Sequence, residues 1–436
     1  MKVRNIQQMG FSLTVLDPYI LAFHHYDQYP EGGKNQGPKQ MPKGKNDGQD
    51  FDQSAAWRMY HGDSVPGFPA HPHRGFETVT VVTQGLMDHF DSNGSKGRYG
   101  GGDVQWMTAG KGAQHSEMFP LVNQDGGNTV ELFQIWLNLP KKNKFAEPNY
   151  KMFWNEDIPV ITEVDDNNNQ TSVKLIAGTY KGIHSIDPLP ASWAYNRENH
   201  VGIWIIKLAP NAKFTIPSVS TTLNRILYNI NGGEVTIEDD KLKHHYYAEL
   251  DGNRNIAIQN GAKATELLLL EGEPINEPVV AHGPFVMNTT AELRQAFIDF
   301  QETEFGGWPW PTNDPVNNLN DGRFANYRNG EVIEYPKTKY NVINNKAKKR
   351  YEVAVDNFLA IADYIETGEG VVFMTHTEVP VELEGKGIGS ALVKFALQDI
   401  KDRGLKVSPM CPFVRAYIER HPEWKSLIKT YNNNAK

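Results

Sequence analysis

Two short segments constrain this chain more than any others. One is His71-Pro72-His73-Arg74-Gly75-Phe76-Glu77, and the other is Gly110-Lys111-Gly112-Ala113-Gln114-His115-Ser116-Glu117. Each carries two potential metal ligands at i and i+2. Residues two apart in a strand point to one face, so each segment can offer two donors to one point. Between them, Thr78-Val79-Thr80-Val81-Val82-Thr83 is β-branched, Gln84-Gly85 is a turn signal and Leu86-Met87-Asp88-His89-Phe90 is mixed. This pattern predicts a hairpin that folds the second pair over the first. Three imidazoles and one carboxylate form a mixed N/O site suited to Fe, Mn, Ni, Cu or Zn. Four protein ligands on an ion that prefers six leave two positions open, which points to chemistry. A single H-x-H is weak, because histidines are often satisfied by hydrogen bonds; the pairing of two such segments carries the argument.

Bulk properties narrow the class. With 436 residues the chain has room for about three domains. Hydrophobic residues make up 39% and charged residues 22%, as in a globular protein in water. The net charge of −8 gives no electrostatic case for direct nucleic-acid binding, and the basic run Lys346-Ala347-Lys348-Lys349-Arg350 reads as a solvated linker. Cys411 is the one cysteine, so no intramolecular disulfide is possible, which fits a reducing compartment. Met1 to Gln8 lacks an apolar signal core, and no stretch reaches the length of a membrane span. A cytoplasmic location is expected.

Taken in order, residues 11–24 hold two short strand-like runs broken at Asp17-Pro18. Residues 27–53 are rich in Gly, Lys, Asn, Gln, Pro and Asp, and read as a long, exposed, disordered loop. Residues 54–150 carry the metal pairs among strands and glycine turns. Gly100-Gly101-Gly102-Asp103 is such a turn and not a phosphate loop, since no helical pattern follows it. In the strand Val130–Leu139 the even positions include Leu132, Gln134 and Trp136; Gln134 could face the metal cavity, but a bond within the barrel wall is the preferred reading. Residues 151–275 repeat the β texture in Val201–Leu208, Arg225–Ile230 and Thr265–Leu270. There is no H-x-H here, and the adjacent His244 and His245 face opposite sides of a strand, so this second barrel reads as metal-free. A helix is predicted after Thr290, with Glu292 in its cap and Leu293, Phe297 and Phe300 on one face.

His-Pro-His-Arg-Gly-Phe-Glu-Thr-Val-Thr (71–80), Gly-Asp-Val-Gln-Trp-Met-Thr-Ala-Gly (102–110) and His-Ser-Glu-Met (115–118) resemble the signature of the pirin family, within the cupin superfamily. The likeness covers roughly residues 1–310. It implies a bicupin with iron in the N-terminal barrel, held by His71, His73, His115 and Glu117. The general cupin pattern places its glutamate soon after H-x-H, here Glu77. The pirin pattern uses the glutamate of His-Ser-Glu, so Glu117 is taken as the ligand, with Glu77 on the same face by strand parity and supporting from behind. The expected fold is a mostly β bicupin followed by a small α+β domain: an N-terminal cupin over 1–150, a C-terminal cupin over 151–310, a tail and linker over 311–345, and the last domain over 346–432.

In that last domain Tyr351–Val355 reads as a strand, and Leu359–Ile365 with Val371–Val379 as a hairpin. Glu384-Gly385-Lys386-Gly387-Ile388-Gly389-Ser390 then opens a helix with Ile388, Leu392, Phe395 and Ala396 on one face. A glycine turn at a helix start offers free N–H groups to a phosphate. Together with Thr375–Pro380 and Pro409–Glu423, this resembles a family of very small GNAT-like acetyltransferases. That resemblance implies acetyl-CoA with its pyrophosphate on Gly385, Lys386, Gly387, Ile388 and Gly389, and Cys411 and Glu378 as catalytic groups. Cys411 precedes a predicted helix, whose dipole would lower its pKa; it could equally be a small buried apolar residue.

The pirin resemblance further implies quercetin 2,3-dioxygenase activity: a flavonol and O2 at Fe(II), with Glu117 able to take the flavonol hydroxyl proton. It also implies an alternative, an iron-dependent redox sensor acting on a transcription-related protein partner. A third reading makes acetyl transfer the main activity, with the bicupin as its sensor.

Overall fold

The structure is a computed structural model that describes residues 2–429, apart from 46, 336–339, 356–357, 369 and 384–387. The chain divides into two compact units, 1–333 and 334–436.

The first unit contains two β barrels. The first barrel has one sheet in the order Asn149–Phe153, Val104–Thr108, Phe76–Gln84, Asn128–Asn138, Tyr19–Tyr29 and Ser12–Leu13. Its other sheet runs from Arg323–Asn326 through Lys96–Gly100, Leu86–Asp91 and Ala113–Met118 to Gly67–His73. The second barrel has a seven-stranded sheet and a four-stranded sheet. The seven-stranded sheet begins with Val3–Gln8, which pairs with Tyr246–Leu250. The first strand of the chain thus belongs to the second barrel, while Arg323–Asn326, from the expected tail, pairs with Lys96–Gly100 of the first. A boundary at residue 150 does not capture this exchange, because sheet edges are completed by whichever segment of chain is near.

Strand alternation explains the core. In Phe76–Gln84 the odd residues Val79 and Val81 face the second barrel. In Asn128–Asn138 so do Phe133, Ile135 and Leu137. They pack against Ile203, Ile205, Ile226, Tyr228, Leu268 and Leu270 in one continuous cluster. Each such side chain contributes about 1.5–3 kcal/mol by leaving water. The opposite faces of the two strands line the first barrel's interior, where Thr80 and Gln134 stand among apolar Leu132 and Trp136.

Two expectations change. Phe76–Gln84 and Leu86–Asp91 are strands, but not a hairpin pair: the chain crosses from one sheet to the other at Gly85, whose φ is +79°. The two ligand pairs meet instead by direct antiparallel pairing of Gly67–His73 with Ala113–Met118, with His71 opposite His115 and a register shift between Phe68 and His71. Residues 27–53 are also ordered where described. Buried Arg58 gathers the carbonyls of Tyr26, Asp52, Gln53 and Ala55 and the Asp27 carboxylate. Gln36 is 5% exposed, donates to the Asn317 carbonyl and accepts from Arg98. Polar composition did not mean solvation in the first half of the segment, where backbone groups are satisfied by buried side chains, whereas among the described residues of 39–53 none is buried, as expected for an exposed loop.

After the second barrel the chain returns to the first. Arg74 forms a bridge with Phe285 and an ion pair with Asp299 of the helix Thr290–Thr303. Thr289 caps this helix through the Glu292 N–H, and Leu293 and Ala296 are its buried residues. Lys144, 1% exposed, donates to the carbonyls of Gly75 and Val286 and to Asn138 Oδ1. Gly75 has φ +86° and a Cβ there would meet the Val286 oxygen at 2.0 Å, so only glycine fits.

The second unit has a five-stranded sheet in the order Ile343–Asn345, Arg350–Val355, Phe358–Thr367, Val371–Glu378 and Lys406–Pro409, with only the last pair parallel. The helix Ile388–Asp402 buries Ile388, Leu392, Ala396 and Ile400. Phe395, predicted on that face, lies at its rim and is 40% exposed, with its ring edge toward Tyr351. Among the described residues no helix is long and apolar enough to cross a membrane.

Candidate metal centre

His71 and His73 alternate on one strand and His115 lies on its neighbour. One ring nitrogen from each lies within 4.8 Å of the others. His71 Nδ1 is 2.8 Å from the Pro69 carbonyl, which fixes its proton there and leaves Nε2 free as an electron-pair donor. Neither nitrogen of His115 has a hydrogen-bond partner, nor does Nε2 of His73, although both residues are buried. Burial pushes the His71 imidazole down to about 4, and those of His73 and His115 well below their usual value. Three neutral imidazoles with unpartnered lone pairs, converging in a buried space, fit a metal ion; without one they are unsatisfied polar groups.

Glu117 lies beside this cluster, its Oε2 3.9 Å from His115 Nε2. Gln134 Nε2 donates to that Oε2 at 2.9 Å. Thr80 Oγ1 is 2.9 Å from Glu117 Oε1 and 2.5 Å from Gln134 Oε1. One hydroxyl proton can serve only one of these oxygens. When Thr80 donates to Gln134, its contact with Glu117 is a hydrogen bond only if the carboxyl is protonated. Burial pushes Glu117 up to about 7, against the pull of Thr80 and Gln134. Gln134 therefore faces the cavity and orients the carboxyl, and is not confined to the barrel wall.

Glu77 lies elsewhere. It is fully buried, with Oε1 accepting from Thr108 at 2.6 Å, and is raised to about 7 by burial. The parity argument from His73 fails because Arg74-Gly75 turns the chain into the other sheet. In its new strand Glu77 shares the odd, inter-barrel face with Val79 and Val81.

The cluster opens into a cavity of about 120 Å³ lined by Phe11, Phe23, His25, Phe51, Phe68, Met87, Phe119, Leu132 and Trp136, besides the residues above. Phe68, His71, His73 and Trp136 also line an outer groove of about 510 Å³ with Gly283 and Pro284. The aromatic wall was missed in the sequence, although Phe23 and His25 alternate on one strand.

In the second barrel the interior is filled by Leu175, Trp204, Ile206, Leu227, Leu267 and Leu269. His244 and His245 lie in a turn before Tyr246–Leu250 and not on opposite sides of a strand, with ring centroids 3.8 Å apart; His244 Nε2 donates to the Ile230 carbonyl at 2.9 Å, and among the described residues this barrel has no ligand cluster.

In the second unit Gly385, Lys386 and Gly387 lie outside the described residues. Ile388 and Gly389 form the buried start of the helix. Cys411 is buried at the N-cap of Pro412–Arg420, with Sγ 3.5 Å from Thr377 Oγ1. Glu378 is exposed beside His376, and strand alternation puts it on the face opposite Thr377, so the structure does not bring it to Cys411.

Two barrels back to back, a histidine cluster in one and an apolar filling in the other, define a bicupin with a candidate metal centre. Family models agree: Pirin matches residues 40–137, Pirin C-terminal cupin domain 203–306, and GCN5-related N-acetyl-transferase 350–427. Pirin-1 of Arabidopsis thaliana is 38% identical over 243 residues, 55% of this chain and 78% of that protein. Human pirin is 34% identical over 268 residues, 60% of this chain and 86% of that protein. A crystal structure of quercetin 2,3-dioxygenase from Acinetobacter baumannii aligns with a TM-score of 0.55 and 28% identity, covering 70% of this chain and 98% of that one. The chain belongs to the pirin family, and carries a GNAT-like domain at its C-terminal end.

Proposed function

We propose that the first unit is a metal-dependent dioxygenase that acts on a flavonol-like substrate with O2, with Fe(II) held by His71, His73, His115 and Glu117. The observation that carries this reading is the cluster of unpartnered, neutral imidazoles at the floor of an aromatic-walled cavity. The similarity to a quercetin 2,3-dioxygenase supports the substrate class. When bound, the metal would supply Lewis acidity and a route for electrons from substrate to oxygen.

The chain's own residues do the rest. His71 is oriented by Pro69, so its Nε2 is aimed without reorganisation. Phe23, Phe68, Phe119 and Trp136 exclude water and align a planar ring system. Glu117, released from its ligand role as the substrate binds, takes the proton of the flavonol hydroxyl at the carboxyl that Gln134 and Thr80 orient. The inner cavity is too small for a whole flavonol, since drug-sized ligands need roughly 300 Å³ or more. The outer groove accommodates the remainder of the molecule.

The test is oxygen uptake with quercetin, using protein stripped of metal and reloaded anaerobically with Fe(II), beside a His115→Ala variant. Metal-dependent uptake with release of carbon monoxide, absent in the variant, is the expected result. Tight iron binding without uptake would overturn the dioxygenase reading in favour of a redox sensor.

The C-terminal domain we assign to acetyl-CoA binding, on the strength of its match to the GCN5-related N-acetyl-transferase model. Calorimetric titration with acetyl-CoA should give measurable heat. Its absence, with no shift in melting, would remove this assignment.

A further inference from the structure

The first barrel contains a buried polar chain that the metal centre does not use. Arg58 Nη1 donates to Asp27 Oδ1 at 2.8 Å, and the Tyr60 hydroxyl lies 2.8 Å from Asp27 Oδ2 and 2.9 Å from His25 Nδ1. All four residues are under a tenth exposed. Burial raises the Asp27 carboxyl, but the hydrogen bonds from Tyr60 and Arg58 and the Arg58 charge favour its ionised form, which can only accept, so Tyr60 donates to it. A tyrosine has one proton. Its oxygen therefore accepts from His25, and the proton of His25 sits on Nδ1. Burial holds this imidazole down to about 3, with His24 and Arg58 adding to the effect, so it stays neutral. Its ring is wedged between Phe11, Tyr60 and Phe68 at centroid distances of 5.7, 5.0 and 5.8 Å. His25 also lines the inner cavity, and Phe68, in contact with it, is in ring contact with His71 as well.

We propose that His25 is a specificity-determining residue: its Nε2 is a hydrogen-bond acceptor of fixed polarity that receives a hydroxyl on the aromatic ring held in the inner cavity. This rests on the flavonol reading and deepens it. A cavity of about 120 Å³ is sized for one aromatic ring, as engineered cavities of roughly 150 Å³ hold benzene. Its wall is otherwise aromatic and aliphatic apart from the histidine cluster, Glu117 and Gln134. A ring without a hydroxyl leaves the acceptor buried and unpaired, and that penalty is the source of discrimination. Tyr60, Asp27 and Arg58 are positioning residues that keep the proton on the far side of the imidazole.

The experiment compares quercetin with 3-hydroxyflavone, which keeps the chelating hydroxyl and lacks hydroxyls on both outer rings, so the test holds whichever ring enters. Affinities are measured by fluorescence titration of metal-loaded protein without oxygen. The wild type should prefer quercetin by about tenfold or more. In His25→Phe the two affinities should converge, with metal content equal to wild type. Tyr60→Phe, which keeps the ring but frees the His25 tautomer, should give an intermediate ratio. Equal affinities in the wild type, or a ratio unchanged in His25→Phe, would overturn the proposal, and an unchanged ratio in Tyr60→Phe would overturn the fixed-polarity argument. Failure of the wild type to bind either flavonol is a different outcome: it removes the flavonol reading itself.

Discussion

The two barrels share a strand texture and one core between them, yet their interiors are opposites. The second is packed with leucine, isoleucine and tryptophan. The first holds three histidines, Glu117, Gln134 and Thr80 around a cavity. The apolar contact of Val79, Val81, Phe133 and Ile135 with the second barrel stabilises the outer face of the first, which releases its interior from that task. The first barrel is also held by groups outside its cavity, among them Lys144 and the buried ion pairs Arg98–Asp88 and Arg58–Asp27. One barrel is the support and the other the site.

If this division is right, removing a ligand should destroy the site. His115→Ala should lose its metal to background in elemental analysis; retention of one equivalent would show that the cluster is not the metal centre. The converse variant, Leu269→Ala in the second barrel, should lower the free energy of unfolding by about 3 kcal/mol in urea and leave metal stoichiometry unchanged. Loss of metal in that variant would break the comparison, because the two interiors would then be coupled.

Lys144 gives a pH test. Burial pushes its pKa down from 10.5 to about 8. Below about pH 8 it is charged both folded and unfolded. Between about 8 and 10.5 the unfolded chain keeps a proton that the folded protein has released, so stability rises with pH over that window. Relative to Lys144→Met, the wild type should gain up to about 3 kcal/mol across it; parallel curves for the two proteins would show that Lys144 keeps its proton. The smallest effect is expected for Gln134→Leu, which removes the donor to Glu117 Oε2. Metal affinity should fall by about tenfold, read by competition with a chelator, and an unchanged affinity would mean that Glu117 needs no orienting partner.

The legible part of this molecule was the part written in short-range order. H-x-H, H-S-E and the β-branched runs are local patterns, as is the helix start, read at Thr290 and found one residue earlier with Thr289 as the cap, and local periodicity sets which side chains share a face. The illegible part depended on where the chain changes sheets. Glu77 was assigned to the cavity by a parity that does not survive Gly75, and the hairpin at Gly85 is a crossing between sheets. Residues 27–53 read as one exposed loop by composition, but Gln36 is buried by contacts with Asn317 and Arg98 far along the chain, while 39–53 stay unburied where described.

The sequence alone therefore determined that His71, His73, His115 and Glu117 are available as donors in two strand-borne pairs, and that the following domain lacks such pairs. Tertiary structure decided that His71 faces His115 across a strand pairing, that Glu117 lies beside them while Glu77 does not, and that Arg58, Asp27, Tyr60 and His25 form one chain to the cavity wall. The physical reason is range. Alternation along a strand is fixed by covalent geometry, whereas register between strands and the filling of a barrel are settled only when segments far apart in the chain bury their surfaces together.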